Sequence, residues 1–285
     1  MKKLDLIQKR LNEYNCTSPA EEDYALREIL QEFILAALAR TDYFTKAAFH
    51  GGTHLRVFHG LQRFSEDLDF ALKEDDPTFE FRTYLEKVKK ELEAVGVMAE
   101  VVDKSKVGQT IKKAFLKDNS IIRLVELKFA ENIGSLQTPR KLRIKMEVDS
   151  HPPAGAGYES QALSFPFPAS VTNFDLPSSF AGKMHALLCR EYVKGRDWYD
   201  FIWYVGAKVK LNHRLLSAAL DQQGRWAGQH IVTSDAWVKD ELKKVIADLD
   251  FQQAKEDVAN FVYAHELNHL DYFNRGFFTE MAGKL

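Results

Sequence analysis

Along EEDYALREILQEFILAALAR, residues 21–40, apolar side chains fall at Leu26, Ile29, Leu30, Phe33, Ile34 and Leu38. That three-and-four spacing, with acids crowding the first turn, predicts an amphipathic helix. YFTKAAFH reads as a short strand, and GGTHLRVFHG as a glycine turn entering a short helix that Gly60 ends. DLDFAL starts with the polar–apolar alternation of a strand, and TFEFRTYLEKVKKELEAVG is a second helix, closed by Gly96. VMAEVV, IIRLVELKF and KLRIKMEVD follow as strands, while residues 106–119 fit either helix or strand. Between 151 and 179 the chain carries five of its 8 prolines and no lysine or arginine, which marks a boundary. Beyond it SSFAGKMHALLCREY, RDWYDFIWYVGAK, HRLLSAALDQ, DAWVKDELKKVIADL and AKEDVANFVYAHELNHLDYF all carry helical periodicity. The expectation is an α+β protein, with a mixed sheet and helices over residues 1–176 and a helical domain over 177–285.

Composition changes this picture little. A length of 285 residues suits two domains, and 45% hydrophobic with 28% charged residues of both signs argues for a folded chain. Cys16 and Cys189 are too few for a disulfide framework or a zinc finger. FILAALA is too short to span a bilayer and the basic N-terminal tip has no apolar run behind it, so a cytoplasmic protein with no membrane partner is expected. Charge is more informative, because the net −2 is unevenly spread. Residues 104–145 hold eleven Lys or Arg against Asp118, Glu126 and Glu131, an excess of eight positive charges. Such a stretch is a solvated face unless a phosphate-handling site lies nearby.

FHGGTHLRVFHGLQRFSEDLDFAL supplies that candidate. On a strand Asp67 and Asp69 point the same way, while Leu68, Phe70 and Leu72 point into the core. Two carboxylates that close repel unless a cation sits between them, and a hard divalent ion such as Mg²⁺ or Mn²⁺ suits an all-oxygen site. Gly51, Gly52 and Thr53, at a helix start, offer unhindered N–H groups to a phosphate. A third carboxylate would come from RIKMEVDS. Strand alternation leaves both Glu147 and Asp149 open, and Glu147 is favoured as nearer the strand centre.

The combination of a Gly-Gly helix start with an Asp-x-Asp strand resembles the polymerase-beta-like nucleotidyltransferases. The longer string resembles one branch in particular, the AbiEii/AbiGii toxins of bacterial toxin–antitoxin systems, over roughly residues 20–205. Gly51, Gly52 and Thr53 match the branch's first element, and Arg63, Ser65, Asp67, Leu68, Asp69 and Phe70 its second. Lys183 matches its later lysine, and Arg196, Asp197 and Asp200 its closing element. The resemblance implies Mg²⁺-dependent transfer of a nucleotide from a nucleoside triphosphate, an abortive-infection role beside a cognate antitoxin, and, as in some relatives, the 3′ end of transfer RNA as acceptor. It implies Asp67, Asp69, Lys183 and Asp197 as the catalytic set, with Arg56, Arg63, Ser65, Arg196, Asp200 and the Gly51–Thr53 turn binding substrate. The active site is then expected between the two domains.

Lys183 stands out independently of this likeness. With Ser178 or Ser179 as helix cap it would sit near an N-terminus, where the dipole disfavours a cation unless a phosphate is present. Asp197 and Asp200 are three apart and share a helix face, and Arg196 with Asp197 could form a plain structural ion pair.

Two rival readings are available. HELNH, His265 to His269, fits the His-Glu-x-x-His pattern of zinc metalloproteases, but it lacks a third ligand, with Arg275 where the extended pattern needs histidine. A non-catalytic module that holds a nucleotide or a partner protein is the other, and the intact aspartate pair argues against it.

Overall fold

A computed structural model describes residues 4–102, 120–129, 133 and 141–285. Residues 106–119, which the pattern left open, lie outside the described residues, as do Lys104, Lys106, Lys112, Lys113, Lys117 and Arg140 of the basic stretch.

The elements run α1 (Asp5–Glu13), α2 (Pro19–Ala39), α3 (Tyr43–Lys46), β1 (Ala47–His50), α4 (Gly51–His59), β2 (Leu68–Leu72), α5 (Phe81–Ala94), β3 (Val97–Val102), β4 (Ser120–Phe129), β5 (Lys141–Asp149), β6 (Tyr158–Leu163) and β7 (Ala169–Phe174). Helices follow: α6 (Leu176–Cys189), α7 (Gly195–Gly206), α8 (His213–Gln222), α9 (Asp235–Asp248), α10 (Phe251–Ala259), a 3₁₀ helix (Ala264–Tyr272) and α11 (Arg275–Gly283). The α+β class expected from the pattern is what the chain adopts.

Two compact units result. The first comprises Met1–His59, Phe64–Pro152 and Ser160–Asn173. Among the described residues its sheet has the order β3-β4-β5-β2-β1-β7-β6. β2 is central, antiparallel to β1 and parallel to β5, with Asp69 opposite Glu147. Leu68, Phe70 and Leu72 are buried, as alternation requires when one face packs inward. They meet α2, whose start is set by Pro19 and by the Ser18 hydroxyl accepting from Glu21 N.

The second unit comprises Gly60–Arg63, Pro153–Glu159 and Phe174–Leu285. Phe180 stacks on Tyr204 at 4.6 Å between ring centroids, and Trp198 meets Phe278 edge-on at 5.1 Å. These rings and Phe201 are buried, which ties α6, α7 and α11 together.

Three local expectations change. YFTKAAFH is not all strand: Tyr43–Lys46 forms a helical turn, Thr45 Oγ1 donating to the Asp42 carbonyl, and only Ala47–His50 joins the sheet. Tyr43 is fully buried against Phe70 and Tyr84, so ring packing outweighs local strand preference. Helix α6 is capped by Asp175, whose carboxylate accepts from Ser178 N, rather than by Ser178 or Ser179. The last helical stretch breaks after Ala259 and resumes as a 3₁₀ helix from Ala264, with Phe261 buried in the gap. At three residues per turn, His265 and His269 do not share a face as zinc ligands on an α-helix would. Among the described residues neither belongs to any group of three potential metal ligands.

Candidate active site

In the first unit the chemistry-bearing residues meet at β1, α4 and β2. Gly51 has φ +85, a conformation that costs a side-chain-bearing residue but not glycine. A Cβ there would stand 2.5 Å from Asp69 Oδ2, so the turn is in direct contact with the second aspartate. Thr53 is fully buried and its hydroxyl donates to the Asp67 carbonyl oxygen. Thr53 therefore clamps the helix start to the strand entrance rather than presenting its hydroxyl to solvent.

Register places Glu147 directly beside Asp69, whereas Asp149 lies opposite Ala71 and its carboxylate accepts from His151 N. Of the two candidate acids, Glu147 is thus the one adjacent to the aspartate pair. Lys145, two residues earlier on the same face, places its ammonium 2.6 Å from Glu147 Oε2. Burial alone would lower its pKa, but Glu147, Asp67 and Asp69 outweigh it and hold the group above its ordinary value. The alternation that marks Glu147 also marks Lys145, which in the sequence is one positive charge among eleven.

Arg56 and Ser65 take structural partners. Arg56 Nε lies 2.7 Å from Glu28 Oε2 with the guanidinium over the Phe64 ring, and the Ser65 carbonyl accepts from Gln31 Nε2 at 3.2 Å.

The second unit gathers Arg63, Lys183, Asp197 and Asp200. Arg63 grips Asp200 through both oxygens, Nε to Oδ1 and Nη2 to Oδ2, each at 2.6 Å. Lys183 Nζ lies 2.7 Å from both Asp197 Oδ1 and Asp200 Oδ2, and Arg190 Nε 3.2 Å from Asp197 Oδ2. Three cations thus face two carboxylates in a nearly dry setting. Burial would raise both aspartate pKa values, yet Lys183 with Lys194 and Arg190 at Asp197, and Arg63 with Lys183 at Asp200, hold them below the usual carboxylate range. Both stay ionised at neutral pH, and positive charge outweighs negative in the cluster. Lys183 lies in the third turn of α6, counting from Leu176, beyond the reach of the dipole at the helix N-terminus. Arg196 does not pair with Asp197; its guanidinium lies over Phe261 and its backbone N–H donates to Asp257. Arg190 had no signal in the spacing.

The donor set of the first unit suits a divalent cation. Asp67, Asp69 and Glu147 are hard oxygen donors, with Asp69 paired in register with Glu147 and packed directly on Gly51, where a Cβ would push its carboxylate aside. They would hold Mg²⁺ or Mn²⁺.

Solved structures of other proteins share this fold. JHP933 from Helicobacter pylori has a similar structure with a TM-score of 0.53, 17% identity, and coverage of 91% of this chain and 90% of that one. The nucleotidyltransferase toxin MenT4 from Mycobacterium tuberculosis matches with a TM-score of 0.53 and 16% identity over 95% of this chain and 98% of its own. At such identities the likeness is one of fold. No curated protein matches significantly. Among the described residues no helix is long and apolar enough to cross a membrane. The model of the nucleotidyl transferase AbiEii toxin family, of type IV toxin–antitoxin systems, matches residues 34–269, which take in both clusters and most of the chain; the protein belongs to that family of nucleotidyltransferase toxins.

Proposed function

We propose that this nucleotidyltransferase moves a nucleoside monophosphate from a nucleoside triphosphate to RNA, with the 3′ end of transfer RNA as acceptor, in the cytoplasm and under the control of a cognate antitoxin. The observation that carries the reading is the contact of Gly51 with Asp69, which is itself in register with Glu147. A phosphate-facing backbone turn and a carboxylate face share one corner of the sheet.

Asp67, Asp69 and Glu147 would hold the divalent ion, Mg²⁺ or Mn²⁺. When bound, the ion supplies charge neutralisation at the α-phosphate and at the departing diphosphate. The N–H groups of Gly51 and Gly52, at the positive end of α4, bind phosphate oxygens. Lys183, with Asp197 and Asp200 fixing its position, contributes the excess positive charge of its cluster to the triphosphate. Arg63 positions Asp200 and so acts through Lys183. The acceptor hydroxyl attacks the α-phosphorus in line and gives its proton to solvent water, while the bond to the bridging oxygen breaks and diphosphate leaves with that electron pair. Neither Asp197 nor Asp200 takes the hydroxyl proton, since both are held below the usual carboxylate range and are poor bases.

The excess of basic residues over 104–145 supports an RNA acceptor. Within it Lys141 and Arg143 are both engaged by Glu126. Incubation of the purified protein with total cellular RNA, Mg²⁺ and each α-labelled triphosphate in turn, beside Asp69→Ala, tests the reading. Label is expected in a transfer-RNA-sized band and lost in the variant. Triphosphate binding without label in any band would favour a non-catalytic module.

A further inference from the structure

Lys145 occupies a place that the expected chemistry does not require. It leaves the same sheet face as Glu147, which stands opposite Asp69 where β2 and β5 run parallel, and the charges of Asp67 and Asp69 both act on its ammonium. Lys145 therefore stands among three acids, in contact with Glu147 and within the field of Asp67 and Asp69. The ammonium is 2.6 Å from Glu147 Oε2, with the two side chains 33% and 29% exposed. Asp67, Asp69 and Glu147, by contrast, do not bring one oxygen each within 4.8 Å of one another. In this arrangement Glu147 is committed to the lysine rather than to a shared cation position.

An ordinary surface ion pair would account for the 2.6 Å contact, but not for its placement among two further carboxylates that would otherwise repel. A single positive charge at that point relieves the repulsion before any ion arrives, and it opposes the entry of a second, larger positive charge. The geometry points to Lys145 as a built-in counter-cation of the metal face, which holds Glu147 in the ion-free protein, yields it when the divalent ion binds, and so sets the affinity for that ion. Lys145 is a positioning residue in this scheme. The inference rests on the proposed metal role of Asp67, Asp69 and Glu147, and it concerns which cation Glu147 serves rather than the transfer step.

The test is a Mn²⁺ titration of the full-length protein without nucleotide, read by the loss of the free-ion EPR signal. Wild type is compared with Lys145→Met, which keeps the apolar stem, Lys145→Gln, Lys145→Arg and Asp69→Asn, with thermal melts checking that each is folded. Removing one positive charge a few ångströms from the ion is expected to tighten Mn²⁺ binding about tenfold in the Met and Gln variants. Lys145→Arg is expected to stay near wild type. Mn²⁺ affinity that is unchanged or weaker in the folded Met and Gln variants would overturn the inference. If Asp69→Asn binds Mn²⁺ as wild type does, the metal assignment itself falls and this inference with it. Loss of binding in Asp69→Asn, without tightening at Lys145, overturns the inference and leaves the assignment standing.

Discussion

Arg63 and Asp200, 137 positions apart, meet through two parallel hydrogen bonds of 2.6 Å, with side chains 3% and 0% exposed. The pair fixes the short segment Gly60–Arg63 to α7 within the second unit, and α7 also carries Asp197. Breaking such a pair strands a buried charge, whereas lysine cannot reproduce the fork. Arg63→Ala and Asp200→Ala are each expected to lower unfolding stability by about 3–5 kcal/mol. Arg63→Lys should recover only part of this. Urea unfolding followed by circular dichroism measures all three.

Gly51 makes the closest approach to an expected metal ligand, and alanine there carries two separable costs. Its φ of +85 imposes backbone strain of about 1–2 kcal/mol on any residue with a Cβ. The new methyl would also stand 2.5 Å from Asp69 Oδ2 and force the carboxylate aside. Gly60→Ala separates the two, since Gly60 has φ +69 but nothing within 4 Å of its would-be Cβ. Both variants should lose similar stability, while only Gly51→Ala should lose nucleotidyl transfer, by at least about tenfold for one ångström-scale displacement. Equal activities in the two variants would remove Gly51 from the site.

Why some of this was legible and some was not follows from the range of the forces involved. The turn at Gly51 and the strand carrying Asp67 and Asp69 rest on local rules, namely glycine at a left-handed position and alternation with a buried Phe70, so they could be read directly. Glu147 needed strand register, which is a property of pairing between segments about 80 residues apart, and alternation alone left Asp149 equally open. The helical turn at Tyr43 depends on aromatic neighbours from α5 and β2 that no local window contains. The 3₁₀ segment is similar, because HELNH has helical composition and only the break around Phe261 changes its pitch. At Lys183 the local pattern offers a cap at Ser178 or Ser179. Asp175 is the cap, and the significance of Lys183 lies instead in two aspartates brought to it by α7.

Those two aspartates make Lys183 the most electrostatically committed residue of the second unit. Replacing it by methionine leaves Asp200 to Arg63 and Asp197 to Lys194 and Arg190, so both carboxyl pKa values should rise. In wild type they are held below the ordinary range, so the stability this pairing contributes is present above the unfolded carboxylate pKa and is lost only as pH falls through the lower folded value. Lys183→Met should therefore cost about 3 kcal/mol at pH 7. The deficit should narrow towards pH 4, as the folded variant takes up protons that the wild type refuses. Paired urea titrations at the two pH values decide this, and a deficit independent of pH would show that Lys183 contributes packing rather than charge.

His54 supplies a pH dependence of the first unit that involves neither cluster. Its ring is fully buried on α4, edge-on to Phe49, with Nε2 3.2 Å from His59 Nε2. Burial, helped by His59 and His50 and opposed by Gln161, pushes its pKa from 6.5 down to about 3. The folded chain thus keeps this imidazole neutral while the unfolded chain protonates it below 6.5, so folding loses stability as pH falls from 6.5 towards 3. Glu32 works in the opposite sense between 4.5 and 7, because burial pushes its carboxyl up to about 7 and the folded state then binds the extra proton. A bare wild-type curve would blend the two, so the informative quantity is the difference between wild type and His54→Leu. That difference should shift against wild type by about 1 kcal/mol per pH unit between pH 6 and 4, the slope of one proton. A flat difference over that interval would mean that His54 is protonated in the folded state, and that its contact with His59 rearranges to admit the charge.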